Sequence, residues 1–187
     1  MAASSPARGR LLSALIVVGC SVAAAGAASV LTREEALALA YPGATFAAER
    51  VFLTAAEQKQ AEEAAGQRLT SALLARYVAT KDGNVIGRAY IDTHIVRTKK
   101  ETLLISLDPA GAVKRVDVTA FLEPPEYAAP PAFLNQYPGR TLSGDLRLHR
   151  AIRPIAGATL TAGAVTEAVR RVLAIDRVLA ARAGAQK

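Results

Sequence analysis

The sequence predicts an α+β fold: a twisted antiparallel meander of about four strands, helices packed against it, and a long helix at the C-terminal end. Three observations carry that expectation. Two capping boxes open short helices at Thr32 and Thr54, two β-branched hairpin patterns fill the middle of the chain, and an apolar stripe at helical spacing closes it.

In "LTREEALALAYPGA", Thr32 is a helix cap, Glu35 completes the capping box, and Tyr41-Pro42-Gly43 ends the helix. "FLTAAEQKQAEEAAGQRL" repeats the device with Thr54 and Glu57, giving a helix to about Ala65 that stops at Gly66. "LLARYVATKDGNVIGRAYIDTHIVR" holds two alternating runs joined by the turn dipeptide Asp82-Gly83. "ETLLISLDPAGAVKRVDVTAFLE" is a second hairpin, Thr102 to Leu107 and Val113 to Leu122, across Asp108-Pro109-Ala110-Gly111. Val113, Val116, Val118 and Phe121 alternate imperfectly with Lys114, Arg115, Asp117 and Thr119, which predicts one wet face and one core face.

A Pro-rich loop, "EPPEYAAPPAFLNQYPGRTL", follows and carries a short helix from about Ala132 to Tyr137. From Ala162 to about Ala181 a long helix presents Val165, Val169, Val172, Ile175 and Leu179 as one stripe. No internal repeat or linker interrupts the chain. The expected organisation is an export segment over 1–27, an N-terminal helical segment over 28–70 and a single domain over 71–183.

The export reading rests on Arg8 and Arg10 without an acid, an apolar run from Leu11 to Val18, and small residues ending in Ala25-Gly26-Ala27. Two other readings share the segment. Val17-Val18-Gly19-Cys20 suits a lipoprotein box, and Leu11 to Leu31 is just long enough for an uncleaved anchor. Each carries the rest of the chain out of the cytoplasm, free in a periplasm or tethered to its membrane.

The formal charge of +7 falls to +5 without residues 1–27, because Arg8 and Arg10 leave and no acid does. Aromatics are only 5% of the chain, and no basic stripe is interleaved with them, which argues against nucleic acid as a partner. Cys20 is the one cysteine. The domain beyond it therefore has no disulfide, haem-attachment pair, iron–sulfur ligand or thiol nucleophile. His94 and His149 stand far apart, so a metal site is not expected, and each is read as solvent-facing or at the edge of the core. Redox work in such a chain needs an organic carrier.

"IRPIAGATLTAGAVTEAVRRVL" sets Gly157 and small Ala156 and Ala158 beside Thr159 and Thr161 at the mouth of the last helix. Three readings are open: an N-cap by Thr159 or Thr161, a phosphate cradle, or a point of attachment. The spacing is neither that of a P-loop nor that of a nucleophile elbow.

The segment resembles the covalent flavin-attachment motif, Ser/Thr-Gly-Ala-Thr-x-Thr/Ser, of the FMN-binding domain family. That family includes the peripheral flavin subunits of the sodium-pumping NADH:quinone reductase and of the Rnf complex, and part of the nitrous-oxide-reductase regulators. The hairpin with "EPPEY" and the following "PAFLNQYPGRTL" are similar to the same family, so the likeness spans roughly Gly87 to Ile175. The resemblance implies FMN joined through its phosphate to the Thr159 hydroxyl by a separate flavin transferase, within a motif of Gly157, Ala158, Leu160 and Thr161. It implies further that the Glu123–Tyr127 loop borders the flavin ring, with Leu122 or Tyr127 as its wall.

This sequence departs from the family motif where an Asp and a Ser or Thr usually stand, six and three residues before the acceptor. Arg153 and Ala156 occupy those places. Arg153 is instead suited to pair with the flavin phosphate without a covalent bond. The implied function is an exported flavoprotein that relays electrons to or from a membrane or periplasmic redox partner, a quinone reductase-type complex or a cytochrome. With no acid–base pair or nucleophile in view, a carrier fits better than a self-sufficient oxidoreductase. The alternative is a non-redox binding or assembly module of the same fold.

Overall fold

The computed structural model describes residue 1 and residues 30–185; the expected export segment lies outside the described residues. Its elements in chain order are α1 (Arg33–Ala40), β1 (Thr45–Phe52), α2 (Ala55–Ala65), β2 (Leu73–Lys81), β3 (Asn84–Ile95), β4 (Lys100–Leu107), β5 (Val113–Phe121), α3 (Pro131–Leu134) and α4 (Thr159–Ala185). The strands form one antiparallel sheet in the order β1-β2-β3-β4-β5, a plain meander. Among the described residues no helix is long and apolar enough to cross a membrane.

Both capping boxes form. Thr32 Oγ1 accepts from Glu35 N–H and Thr54 Oγ1 from Glu57 N–H, while each glutamate returns to its threonine's backbone N–H. Gly66 ends α2 in the left-handed conformation, φ 71°. The fifth strand, β1, is the element the sequence pattern missed, and it lies within the stretch expected to be helical. It is an edge strand, paired only with β2 and largely exposed, so "TFAAERVF" shows no clean apolar alternation.

The sheet is covered on both faces. On one, Leu103, Ile105 and Leu107 of β4 meet Val165, Val169, Val172, Ile175 and Leu179 of α4, with α2 packed along α4. Against the other face lies α1, whose Ala36, Leu37 and Ala40 bury Ala89 and Leu104 with Tyr41. The expectation of one wet face is therefore corrected. Asp117 of β5 is buried, and its carboxyl pKa rises through burial despite the Arg115 guanidinium at 2.7 Å. Tyr41 fixes α1 to the sheet: its hydroxyl lies 2.7 Å from the carbonyl oxygens of Arg88 and Leu107.

The last helix is longer than its apolar stripe announced, beginning at Thr159 and ending at Ala185. It also buries polar groups that a hydrophobic pattern cannot flag. Arg171 pairs with Asp92, while Asp176 accepts from Arg88 at 2.6 Å and from Tyr90 at 2.7 Å. Arg170 donates to the carbonyl oxygens of Ala65, Ser143 and Leu146, closing the C-terminal end of α2. The short helix α3 spans only Pro131–Leu134, less than expected. Phe133 and Tyr137 then meet edge to face at 5.7 Å inside the core.

Candidate functional site

Three pieces of chain meet where α4 begins: the turn Ile155–Ala158, the β3–β4 turn, and the loop ending at Tyr127. Gly157 makes the turn possible, since its φ of 79° strains any residue with a Cβ. Ala158 then takes the capping position. Its carbonyl oxygen accepts from Ala162 N–H at 3.0 Å, and its methyl group offers no acceptor in return. The N–H groups of Thr159, Leu160 and Thr161 consequently have no protein acceptor among the described residues. They converge at the positive end of a 27-residue helix.

Neither threonine caps the helix, which corrects that reading. Thr159 is the first helical residue and is exposed. Thr161 is 1% exposed, and its hydroxyl donates to the Tyr127 carbonyl oxygen at 2.6 Å. Leu160, between them, is 58% exposed.

Arg97 is the member of the site that sequence reasoning missed. Its guanidinium lies 5.1 Å from the centroid of the Tyr127 ring, and both side chains line the cleft with Gly157–Thr161. The residue is placed by Glu123. One carboxylate oxygen of Glu123 accepts from the backbone N–H groups of Arg97, Thr98 and Lys99 at 3.2, 2.7 and 2.8 Å. Those bonds, led by the one from Thr98, hold the Glu123 carboxyl below its ordinary pKa. The signal in the sequence was the cationic turn "RTKK" between two strands.

The cleft, about 280 Å³ and open to solvent, thus gathers Tyr127, Gly157, Ala158, Thr159, Leu160 and Thr161. Leu122 and Glu123 do not line it. Leu122 is exposed, and Glu123 acts behind the cleft as the clamp on the turn. Arg153 lies elsewhere, in a separate depression with Arg140 and Arg150. The Gln136 amide holds it there: Oε1 accepts from Arg153 N–H at 2.9 Å, and Nε2 donates to the Arg153 carbonyl at 3.1 Å.

Under the sheet end that carries Arg97 lies a buried ionic row. Arg171 donates to Asp92; His94 Nδ1 is 2.8 Å from Asp92 and Nε2 is 3.0 Å from Glu101. Burial opposes the imidazolium, but Asp92 and Glu101 outweigh it and raise the His94 pKa to about 9. His94 is therefore a charged residue inside the core at neutral pH. His149 is exposed.

Comparison with protein-family models, with curated proteins and with solved structures finds no match for this chain. The geometry stands alone as the ground for function.

Proposed function

We propose that this chain is an exported FMN-binding flavoprotein that relays electrons, with FMN joined through its phosphate to Thr159. The observation that carries the reading is the exposed Thr159 hydroxyl beside three open N–H groups, with Arg97 and Tyr127 on the same cleft.

The residues present suit the group. A phosphate meets backbone donors, the positive helix end and a guanidinium, and the Ala158 cap leaves those donors to an outside anion. With a flavin dinucleotide as the transferase's donor, the Thr159 oxygen would bond to the FMN phosphorus as the pyrophosphate linkage breaks, the hydroxyl proton passing to the transferase's base and the nucleoside monophosphate leaving. Exposed Leu160 and the Tyr127 ring supply the apolar and aromatic surface a flat ring system needs. Bound FMN would supply the redox chemistry, accepting electron pairs and releasing electrons singly. The protein's part is position and charge, and its partners on this reading are a flavin transferase and a membrane or periplasmic redox protein.

A second reading, a binding or assembly module without flavin, draws on Arg153 and Ala156. The first lines a different depression and the second is a solvent-exposed methyl, so neither supplies the acid or hydroxyl of the family motif. One experiment separates the two. The full chain is produced in a host with a flavin transferase, and denaturing gels are inspected for flavin fluorescence on the protein band. The flavoprotein reading expects a fluorescent band that Thr159→Ala abolishes. Colourless, flavin-free protein would overturn it, and fluorescence surviving Thr159→Ala would move the attachment point.

A further inference from the structure

The depression beside the cleft has a chemistry of its own. Asn135, Gln136, Arg140, Arg150 and Arg153 line a solvent-open depression of about 630 Å³, and no carboxylate or aromatic ring is among the lining residues. Several guanidinium groups on the molecule are matched by a carboxylate: Arg76 holds Glu49, Arg88 holds Asp176, Arg171 holds Asp92 and Arg182 holds Glu57. Arg140 and Arg153 hold no carboxylate among the described residues, and the Arg140 Nε donates to the Gln136 carbonyl oxygen at 3.2 Å. Arg150 has Asp145 at 3.1 Å, in a pair whose side chains are 61% and 77% exposed and which screening by water makes weak.

The backbone carrying these arginines is firmly held. Leu146 and Ile152 are anchored in the core at 1% and 0% exposure, and Leu148 bridges to Ile152. Arg170 binds the Ser143 and Leu146 carbonyls from α4. Val113 exchanges hydrogen bonds with Gly139 and Arg140 at 2.7 and 2.8 Å, and the Gln136 amide brackets Arg153. His149 is kept at φ 61°, a conformation costly to a residue with a Cβ and retained where surrounding contacts over-determine it. Three arginines that line one depression from a loop held at several points are suited to receive an anion.

We propose that the Arg140–Arg150–Arg153 depression binds a ligand bearing more than one phosphate group. Three guanidinium charges call for a multiply charged partner, and the planar forks match phosphate oxygens in pairs. With no aromatic ring in the lining, the recognition is of phosphate and not of a stacked base. The phosphates can belong to a soluble polyphosphate ester or to clustered lipid headgroups. The site is distinct from the Thr159 cleft and does not depend on flavin.

The test uses purified full-length protein with two probes. Inorganic pyrophosphate is titrated by calorimetry at low and physiological ionic strength, and vesicles of phosphatidylcholine with or without phosphatidylglycerol are used in flotation. The double variant Arg140→Gln/Arg153→Gln is compared with Arg68→Gln/Arg177→Gln, which removes the same charge from exposed positions elsewhere. Both changes are at the surface, and circular dichroism verifies folding. The expected result is binding to at least one probe, weakened about tenfold or more by the first pair and less than about twofold by the second. Pyrophosphate binding alone points to a soluble ligand; flotation alone points to headgroups; either supports the site. Absence of binding to both probes at low ionic strength would overturn the proposal. So would equal weakening by the two double variants, or weakening by Arg97→Gln alone.

Discussion

The Thr161 hydroxyl donates to the Tyr127 carbonyl oxygen at 2.6 Å, fastening the first turn of α4 to the end of the Pro-rich loop. The two residues stand 34 positions apart in the chain, and the bond ties two walls of the cleft together. Thr161→Val keeps the shape and removes the donor. It is expected to cost about 1–2 kcal/mol in urea unfolding and to lower flavin content, whereas Thr161→Ser retains both. Equal flavin incorporation in Val and wild-type protein would show that the bond does not shape the site.

Glu123 holds three consecutive N–H groups with one oxygen, and its removal leaves that turn unsupported. Glu123→Ala is expected to destabilise the fold and to speed amide exchange at Thr98 and Lys99 specifically. Unchanged protection at those two amides would remove Glu123 from its assigned role. Because its pKa is depressed, its contribution is present above the ordinary glutamate range and is lost on acidification.

The His94 row makes stability depend on pH in the opposite sense. With its pKa raised from 6.5 to about 9, the imidazolium contributes fully below pH 6.5, and that contribution is lost as pH rises through about 9. Asp92 and Glu101 face it from the strands and Arg171 from α4; Glu101 and Arg171 are buried and Asp92 is partly so. Thermal unfolding followed from pH 6 to 10 should show a decline on the order of a few kcal/mol over that interval. In His94→Gln the decline should be absent and the protein less stable throughout. A wild-type profile flat over that interval would contradict a charged His94.

Gly87 is required by contact. A Cβ there would meet the Tyr41 ring and come within 2.5 Å of the Leu107 carbonyl oxygen. Gly87→Ala is expected to lower stability by about 1–3 kcal/mol, and Gly87→Ala combined with Tyr41→Leu should lose less than the two single changes together. Simple additivity in that cycle would refute the collision.

What the sequence made legible was what is local. The capping boxes at Thr32 and Thr54, the Asp82-Gly83 turn and the stripe on α4 each depend on neighbours within a few residues, and each formed. The strand Thr45–Phe52 left no alternation because an edge strand buries one partner face only in part. In the site, Gly157, Thr159, Thr161 and Tyr127 were readable, since a helix start and a Pro-rich loop are local features. Arg97 was not, because its place is set by a carboxylate on another strand end. Arg153, read beside Thr159, lines a different depression for the same reason. Nearness in sequence to Thr159 counts for less than the Gln136 amide that holds it.

On its free side β1 has backbone donors and acceptors that no neighbouring strand of the sheet shares, and at its rim Phe52 is 68% and its cross-strand partner Leu73 44% exposed. Such a border invites another molecule to extend the ladder. Near its centre stands Arg50, exposed and free of any carboxylate among the described residues, whose hydration resists that docking, so this ordinary surface charge guards the molecule against self-association. Replacing it with valine would leave the fold intact and make concentration the protein's enemy.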